Sequence, residues 1–282
     1  MYPTPLADRS PGARTAYRVA VLALLVVWLL PLFGVALTSV RPVEDLNRGN
    51  FWGWPEELAL ENYAAVLGSS RMARFILNSV LIAIPAVAAT LALSTLAGFV
   101  LAKHELRGGG ILLMIFVAGN LVPFQTLMIP VRDLMLRLGL YDTRWALVLF
   151  HAAFQTGFCT LFMRNFIREL PDALLEAARM EGASELKVLW HVVVPLVRPA
   201  LAATAVLVFT FVWNDYFWAL VLVQSDEVRP LTAGLQSLRG MWQTSWHLMS
   251  AASLMAALPP VAIFFLMQRQ LISGLTFGAR RR

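Results

Sequence analysis

The amino-acid sequence predicts an all-α polytopic membrane protein with six transmembrane helices and both termini in the cytoplasm. The first observation is compositional: of 282 residues, 59% are hydrophobic and only 14% are charged, whereas soluble domains are about one quarter charged. The second is that apolar residues form six runs, each close to the roughly 20 residues that a helical span requires. The six runs are Arg18–Leu37, Phe75–Ala102, Ile111–Val131, Trp145–Met163, Ala200–Val223 and Leu248–Gln268.

The distribution of basic residues sets the predicted orientation. Six spans put both termini on one side, and that side would hold more than half of the 23 Lys and Arg residues. Positive charge concentrates on the cytoplasmic side of membrane proteins. The predicted organisation is a cytoplasmic N-terminal tail over 1–17, a membrane domain over 18–268 and a cytoplasmic C-terminal tail over 269–282. This topology explains the net charge of +6 better than nucleic-acid binding does.

The first run is predicted to be a retained helix rather than a signal peptide. It is longer than the roughly 7–15-residue apolar region of a signal peptide, and no clear Ala-x-Ala cleavage site follows it. The segment 38–74 is then the longest extracytoplasmic loop. Its Trp and Tyr residues either lie at the headgroup level or form a docking surface.

The shorter loops carry turn signals rather than chemistry. Loop 103–110 contains three consecutive glycines, but no Lys-Ser/Thr pair follows, so it is not a phosphate-binding loop. Loops 132–144 and 224–247 are predicted to lie on the outer side. Prolines within or near the runs remove backbone donors, so kinks are expected there. Cys159 is the only cysteine, which excludes an intramolecular disulfide and a cysteine metal cage.

The segment 164–199, between the fourth and fifth runs, is unusual because it carries five acidic and five basic residues. It is predicted to be helical. Pro171 suits the first helical position and Asp172 places an acid in the first turn. Gly182 can end this helix, and Ser184 can cap the next one.

One face of this short helix is apolar or small on a helical wheel. A helix of ~10 residues is marginal alone in water, so this face must pack against something. Either it lies on the protein's own surface with Glu181 beyond the helix end, or it docks a separate protein. The face consists of Pro171, Leu174, Leu175, Ala178 and Gly182.

The stretch "EAARMEGAS…VVVPLVRP" resembles the EAA loop of ABC-importer permeases. The matching positions are Glu176, Ala177, Ala178, Glu181, Gly182, Ala183, Pro195 and Pro199. Glu181 stands where the family more often has Asp, so the acid is retained. Further stretches resemble the carbohydrate branch, the maltose-permease-like subunits, although the final three arginines replace the family's usual Lys-Gly ending. These stretches are Asn78–Val80, Gly139–Thr143, Trp213–Leu222 and Leu258–Ala279.

The resemblance implies a permease subunit of an ATP-driven importer in the bacterial inner membrane, translocating a sugar or oligosaccharide. Such a subunit pairs with a second permease, receives solute from an extracytoplasmic sugar-binding protein, and docks two copies of an ABC ATPase on the EAA loops. It is not itself an enzyme and carries no cofactor, because ATP is bound by the partner subunits. This chain accordingly lacks the Gly-x-x-x-x-Gly-Lys-Ser/Thr motif. The residues expected to couple it to the ATPases are Glu176, Ala177, Ala178, Glu181, Gly182 and Ala183.

Asp215 is the single acidic residue within the apolar runs. An acid at the bilayer centre costs ~2.5–3.5 kcal/mol on insertion scales, so it seldom faces lipid. With Trp213 and Asn214, it is predicted to line the translocation path or its gate. The alternative is a structural polar contact with a neighbouring helix.

Three rival functions remain at this stage. An intramembrane enzyme lacks support, because neither H-E-x-x-H nor G-x-S-x-G occurs and the four histidines are scattered. A secondary transporter would need its own ion-coupling groups at the midplane, for which one acid is thin support. Within the ABC class, the alternative is an importer of glycerol 3-phosphate, a polyamine or another small solute.

Overall fold

The computed structural model describes residues 10–238 and 245–276, and every regular element in these ranges is helical. Most of the predicted N-terminal tail and the end of the predicted C-terminal tail, including Arg280–Arg282, lie outside the described residues. The helices are α1 Pro11–Ser39, α2 Val43–Asn47, α3 Glu61–Gly68, α4 Ser70–Lys103, α5 Gly109–Leu121, α6 Met128–Arg137, α7 Arg144–Arg168, α8 Asp172–Met180, α9 Glu185–Val188, α10 Val194–Leu196, α11 Arg198–Trp213, α12 Phe217–Leu222, α13 Leu231–Gly234 and α14 Trp246–Thr276.

Four of these helices are long and apolar enough to cross a membrane: α1, α4, α7 and α14. Two further spans are possible if bent pairs are counted as one each. The helix ending at Leu121 and the segment Phe124–Arg137 meet at 92°, and Glu185–Leu196 meets α11 at 80°. The structure therefore has four to six candidate spans, and the predicted runs lie on them except for the last part of the fifth run, which continues past Trp213 through α12.

The third and fifth runs are not continuous helices, contrary to the expectation of one helix per run. The third breaks after Leu121 because Val122 precedes Pro123 and is extended, with ψ of 125°. The fifth breaks after Trp213, where the side chains of Asn214 and Asp215 bond to main-chain groups instead of allowing the helix to continue.

The chain divides into two compact units, of which the first contains α1 to α3 and the start of α14. In this unit the segment predicted as a loop is structured around Arg41, whose side chain is fully buried. Its guanidinium donates hydrogen bonds to the carbonyls of Asn50 and Gly53. Asn62 donates to the carbonyls of Ser39 and Arg41, at 3.0 Å each. The terminal nitrogens of Arg41 and the Asn62 amide are thus paired with backbone, as burial requires, while Arg41 Nε has no hydrogen-bond partner.

Helix α1 carries an unusual amount of uncovered apolar surface. None of its most hydrophobic 18-residue window is buried, and Trp28, near its middle, is 75% exposed. A contiguous apolar surface of this size needs lipid or another protein chain to cover it.

The second unit contains α4 to α13 and the remainder of α14. Its centre is α7, on which α4 and α5 pack at glycine positions. A Cβ at Gly98 of α4 would lie 2.9 Å from the main-chain nitrogen of Arg164, and a Cβ at Gly157 of α7 would lie 2.8 Å from the carbonyl oxygen of Phe116. Small residues let membrane helices approach this closely.

Candidate functional site

The turn between α8 and α9 is a Schellman motif. Gly182 has φ of +82°, its N–H donates to the carbonyl of Arg179 at 2.9 Å, and the Ala183 N–H donates to that of Ala178 at 3.1 Å. These are the two bonds that satisfy the last carbonyls of a helix, and the left-handed residue between them favours glycine. Gly182 therefore ends α8 as predicted, and Glu181 occupies the C-cap.

The structure differs from the predicted helix capping in two details. Pro171 stands at the N-cap of α8 rather than at its first helical position, because its ψ of 129° is extended. Ser184 stands at the N-cap of α9, but its hydroxyl makes no capping hydrogen bond. Asp172 lies in the first turn of α8, as expected.

Lys103 ties the start of α8 to the end of α4. Its ammonium donates to the Asp172 carboxylate at 2.7 Å and to the Leu170 carbonyl at 2.6 Å, and its side chain is only 5% exposed. Lys103 lies in the last turn of α4 and Asp172 in the first turn of α8, so each charge is favoured by the dipole of its own helix. The hydrogen bond from Lys103 lowers the pKa of Asp172 below its ordinary value.

A second ion pair braces the turn itself. The Arg179 guanidinium contacts both carboxylate oxygens of Glu185, at 2.8 and 3.1 Å, and this bond raises the pKa of Arg179. His104 Nε2 lies 3.4 Å from the same carboxylate. Bidentate pairs of this kind add geometric specificity, so α8 and α9 are held as one rigid hairpin.

The buried side of this hairpin is continuous with the spans. Leu175 of α8 belongs to a hydrophobic cluster that joins α4, α7, α9 and α11, and Ala178 and Ala183 pack against it. Of the predicted apolar face, Pro171, Leu174 and Gly182 remain exposed. The buried members of the cluster are Phe99, Met163, Ile167, Leu175, Val188, Leu189, Val193, Val197 and Ala200.

The hairpin presents the predicted coupling residues outward. Glu176, Ala177, Glu181 and Gly182 are exposed, and Ala178 and Ala183 are half-buried. A Cβ placed on Gly182 would meet no atom within 4 Å. The hairpin thus has one face in the protein core and a small, acidic face with open space in front of it.

The three residues predicted for the path or gate have different environments. Trp213 is buried, and its indole N–H donates to the Ala256 carbonyl at 2.9 Å. Pro260 cannot donate to that carbonyl, four residues earlier in α14, so Trp213 supplies the missing donor. Asn214 is exposed and donates to the Thr210 carbonyl at 2.9 Å.

Asp215 caps the short helix α12. Its carboxylate accepts from the backbone N–H of Trp218 at 3.2 Å and of Ala219 at 3.1 Å. His151 of α7 places Nε2 3.4 Å from Asp215 Oδ2, with the two side chains 6% and 13% exposed. The carboxylate therefore makes the polar contact with a neighbouring helix that the sequence left as an alternative.

The Asp215–His151 pair lies in the lining of a cavity of about 350 Å³. His151 was not predicted as a site residue, because in the sequence it is one of four scattered histidines. Its position as the only histidine within the six apolar runs was the signal that could have identified it. The cavity lining consists of Asn120, Phe124, Phe150, His151, Phe154, Gln155, Phe158, Phe211, Asp215 and Trp218.

A polar cluster brings two of the family-like stretches together. Asn78 is fully buried; its amide donates to the carbonyls of Glu227 and Arg229, and Arg144 Nε donates to its Oδ1 at 2.8 Å. These bonds pin the segment 224–231 to the ends of α4 and α7.

Asp142, in the second stretch, holds the same segment. Its Oδ1 accepts from the backbone N–H of Gln224 and Ser225 at 2.8 and 2.9 Å. Burial raises the pKa of Asp142, but these hydrogen bonds, a further bond with the Ser225 side chain and the charge of Arg229 together lower it by more, so the net shift is downward.

Comparison with known proteins agrees with this architecture. Residues 94–276 match the family described as the binding-protein-dependent transport system inner membrane component. The osmoprotective compounds uptake permease protein GgtD of Synechocystis sp. is 36% identical over 268 residues, covering 93% of this chain and 90% of that protein. The arabinooligosaccharides transport system permease protein AraQ of Halalkalibacterium halodurans is 31% identical over 253 residues, covering 89% and 90%.

The fold is also found in a solved structure. The crystal structure of a bacterial ABC transporter involved in the import of the acidic polysaccharide alginate contains a chain that aligns with a TM-score of 0.78 at 24% identity. The alignment covers 95% of this chain and 98% of that one. At this identity the likeness establishes a shared fold.

Proposed function

The chain belongs to the family of binding-protein-dependent transport system inner membrane components, and from that premise we propose that it is the permease subunit of an ATP-driven importer of a sugar or oligosaccharide. The resemblance to the carbohydrate branch and the AraQ relative, named for arabinooligosaccharides, support this substrate class. ATP hydrolysis is assigned to separate subunits, so this chain acts as a passage and not as an enzyme.

One observation carries the mechanical part of the proposal: the α8–α9 hairpin is anchored on one side and open on the other. Leu175 is buried in the cluster shared with α4, α7 and α11, while Glu176, Glu181 and Gly182 are exposed. A force applied to the open side by an ATPase would be transmitted to the ends of the spans as a rigid-body movement. The proposed coupling residues are Glu176, Ala177, Ala178, Glu181, Gly182 and Ala183.

The proposed topology is a single membrane domain over 18–268 with six spans and both termini in the cytoplasm. It takes one span from each bent pair, and in the second pair α11 is the part that enters the membrane, which gives the even number. In this orientation the hairpin within the coupling loop 164–199 lies in the cytoplasm. The segment 224–231, held by Asn78 and Asp142, lies on the outer side.

The proposed path or gate includes Trp213, Asn214 and Asp215. These residues form the break between α11 and α12, and interrupted helices at membrane depth are tolerated where they line a cavity or are buried in protein. The cavity beside Asp215 supports this assignment.

The proposed partners follow from the family and from the uncovered surfaces. A second permease subunit would cover apolar surface such as that of α1, two copies of an ABC ATPase would dock on the coupling hairpins, and an extracytoplasmic binding protein would deliver the solute. The second candidate substrate is a small osmoprotective solute, which is favoured by the name of the GgtD relative.

The test is reconstitution of the assembled importer. We would purify this chain from its native membrane in mild detergent, identify its companions and their ratio by mass spectrometry, and measure ATP-dependent uptake in liposomes. One copy each of two permeases with two ATPase copies, and uptake of a sugar, is the expected result. A chain that purifies without any ATPase would contradict the proposal, and uptake of only glycine betaine from a panel of sugars and osmoprotectants would favour the second candidate.

A further inference from the structure

We propose that the cavity beside the Asp215–His151 pair is a subsite in which this subunit itself contacts the translocated solute, and that the solute group bound there is a neutral sugar ring. The inference rests on the proposed import function and goes beyond it, because it assigns a substrate contact to this chain rather than only to its partners. The cavity volume of about 350 Å³ is within the range of small-molecule sites, about 300–1,000 Å³.

The walls of the cavity are largely aromatic, and several of their rings pack against one another. The Phe150 ring lies 3.8 Å, centroid to centroid, from the Trp218 ring and stacks on Phe154 at 5.6 Å. Phe158, also in the lining, is 50% exposed, so the cavity opens at the surface of this chain. The negative face of an aromatic ring attracts the positively polarised C–H bonds of a sugar ring.

Polar groups complete the site. Asp215 uses its carboxylate for two backbone donors and for His151, which occupies about three of its four lone-pair positions and leaves one for a hydroxyl group. The side-chain amides of Asn120 and Gln155 are also in the lining and can both donate and accept. Aromatic faces with paired hydroxyl partners suit a sugar, whereas a lipid chain would leave these polar groups without partners at a desolvation cost.

The charge of the site selects among sugars. The lining contains one carboxylate, Asp215, and no Lys or Arg, and its His151 already contacts Asp215, so an acidic sugar would meet a carboxylate with no further cationic side chain to pair with. Like charges brought together in this way disfavour the wrong partner. The site is therefore suited to a neutral sugar and discriminates against a uronic acid.

Direct contact can be tested by photo-cross-linking in the complete importer, arrested with vanadate and loaded with whichever of tritiated sucrose, maltotriose or arabinotriose it transports. The cross-linker p-benzoylphenylalanine replaces Phe154, which lies in the cavity, or Phe162, two turns further along α7 and outside its lining. We expect at least tenfold more tritium on position 154 than on position 162, reduced by excess unlabelled sugar but not by oligogalacturonate. Equal labelling at both positions, or equal competition by the acidic sugar, overturns the proposal.

A second measurement does not depend on the cross-linker. His151→Ala should lower the number of sugar molecules taken up per ATP hydrolysed by about tenfold, while His247→Ala, which lies outside both the cavity lining and the coupling loop, serves as the histidine control. A purely structural role for His151 would lower uptake and hydrolysis in parallel, and that result would overturn the proposal. Failure of the import function itself is recognised separately: the unsubstituted importer would then take up none of the sugars, and both proposals would fall.

Discussion

The turn at Gly182 allows the coupling hypothesis to be tested by separating backbone strain from bulk. Gly182 has φ of +82°, a conformation that costs an ordinary L-residue ~1–2 kcal/mol. A Cβ there meets no atom within 4 Å, so no steric cost within the chain is added. We therefore expect Gly182→Ala and Gly182→Trp to destabilise the isolated protein by the same amount, about 1–2 kcal/mol.

The two variants should differ only where a partner occupies the open space. The indole of Gly182→Trp would project from the outward face of the hairpin, into the space assigned to the ATPase. We expect ATP-driven sugar uptake to fall at least about tenfold relative to Gly182→Ala, which corresponds to a loss of about 1.4 kcal/mol of docking free energy. The assay is uptake into liposomes, together with the amount of ATPase that co-purifies with each variant.

A matched control is available on the chain. Gly108 also has a left-handed φ, +84°, and a Cβ there also meets no atom within 4 Å. Gly108→Trp therefore carries the same strain and bulk at a position outside the hairpin, and it should retain its ATPase and its uptake. If Gly182→Trp transports as well as Gly182→Ala, the hairpin does not dock a partner at this face and the reasoning is wrong.

Three further predictions concern how the spans are held. Trp213→Phe removes the donor to the Ala256 carbonyl and should cost ~0.6–2 kcal/mol, the range of interhelical hydrogen bonds in membranes, measured as a lower thermal midpoint in detergent. Asp172→Asn should lower the thermal midpoint at pH values above ~4, because the Lys103 contact lowers the pKa of Asp172 in the folded protein and so stabilises the fold while the carboxyl is ionised. As the pH falls through that lowered pKa, the carboxyl protonates, and the midpoints of the variant and the unsubstituted protein should converge. Gly157→Ala places a Cβ 2.8 Å from a carbonyl oxygen of α5 and should destabilise by ~1–3 kcal/mol, measured by the same midpoint.

Much of the α8–α9 hairpin could be predicted from the sequence, because its capping signals are local. Gly182 at the end of α8 and Asp172 in its first turn are capping signals that act within a few residues, and the structure places both as expected. The wheel placed Leu174 and Leu175 on one face, but only Leu175 is buried. Which of two adjacent apolar residues enters the core depends on the neighbouring helices, which a wheel does not contain.

The breaks in the third and fifth runs could not be predicted from local sequence signals. Hydropathy reports whether a run is apolar on average, and both runs are free of charged residues except for Asp215. The third run contains Pro123, but a proline in a membrane helix either kinks or breaks it according to what satisfies the freed carbonyls. That information lies in the neighbouring helices.

The sequence by itself determined that the chain is a helical membrane protein with a polar, capped hairpin between two apolar runs, because hydrophobicity, helix period and capping are properties of contiguous residues. The EAA-like motif within residues 176–199 also indicated the family. Only the tertiary structure decided that Asp215 meets His151, that Trp213 serves the carbonyl freed by Pro260, and that Lys103 and Asp172 join two helices. These partners are 43 to 69 positions apart in the chain, and only the packing of the helices determines which polar groups meet.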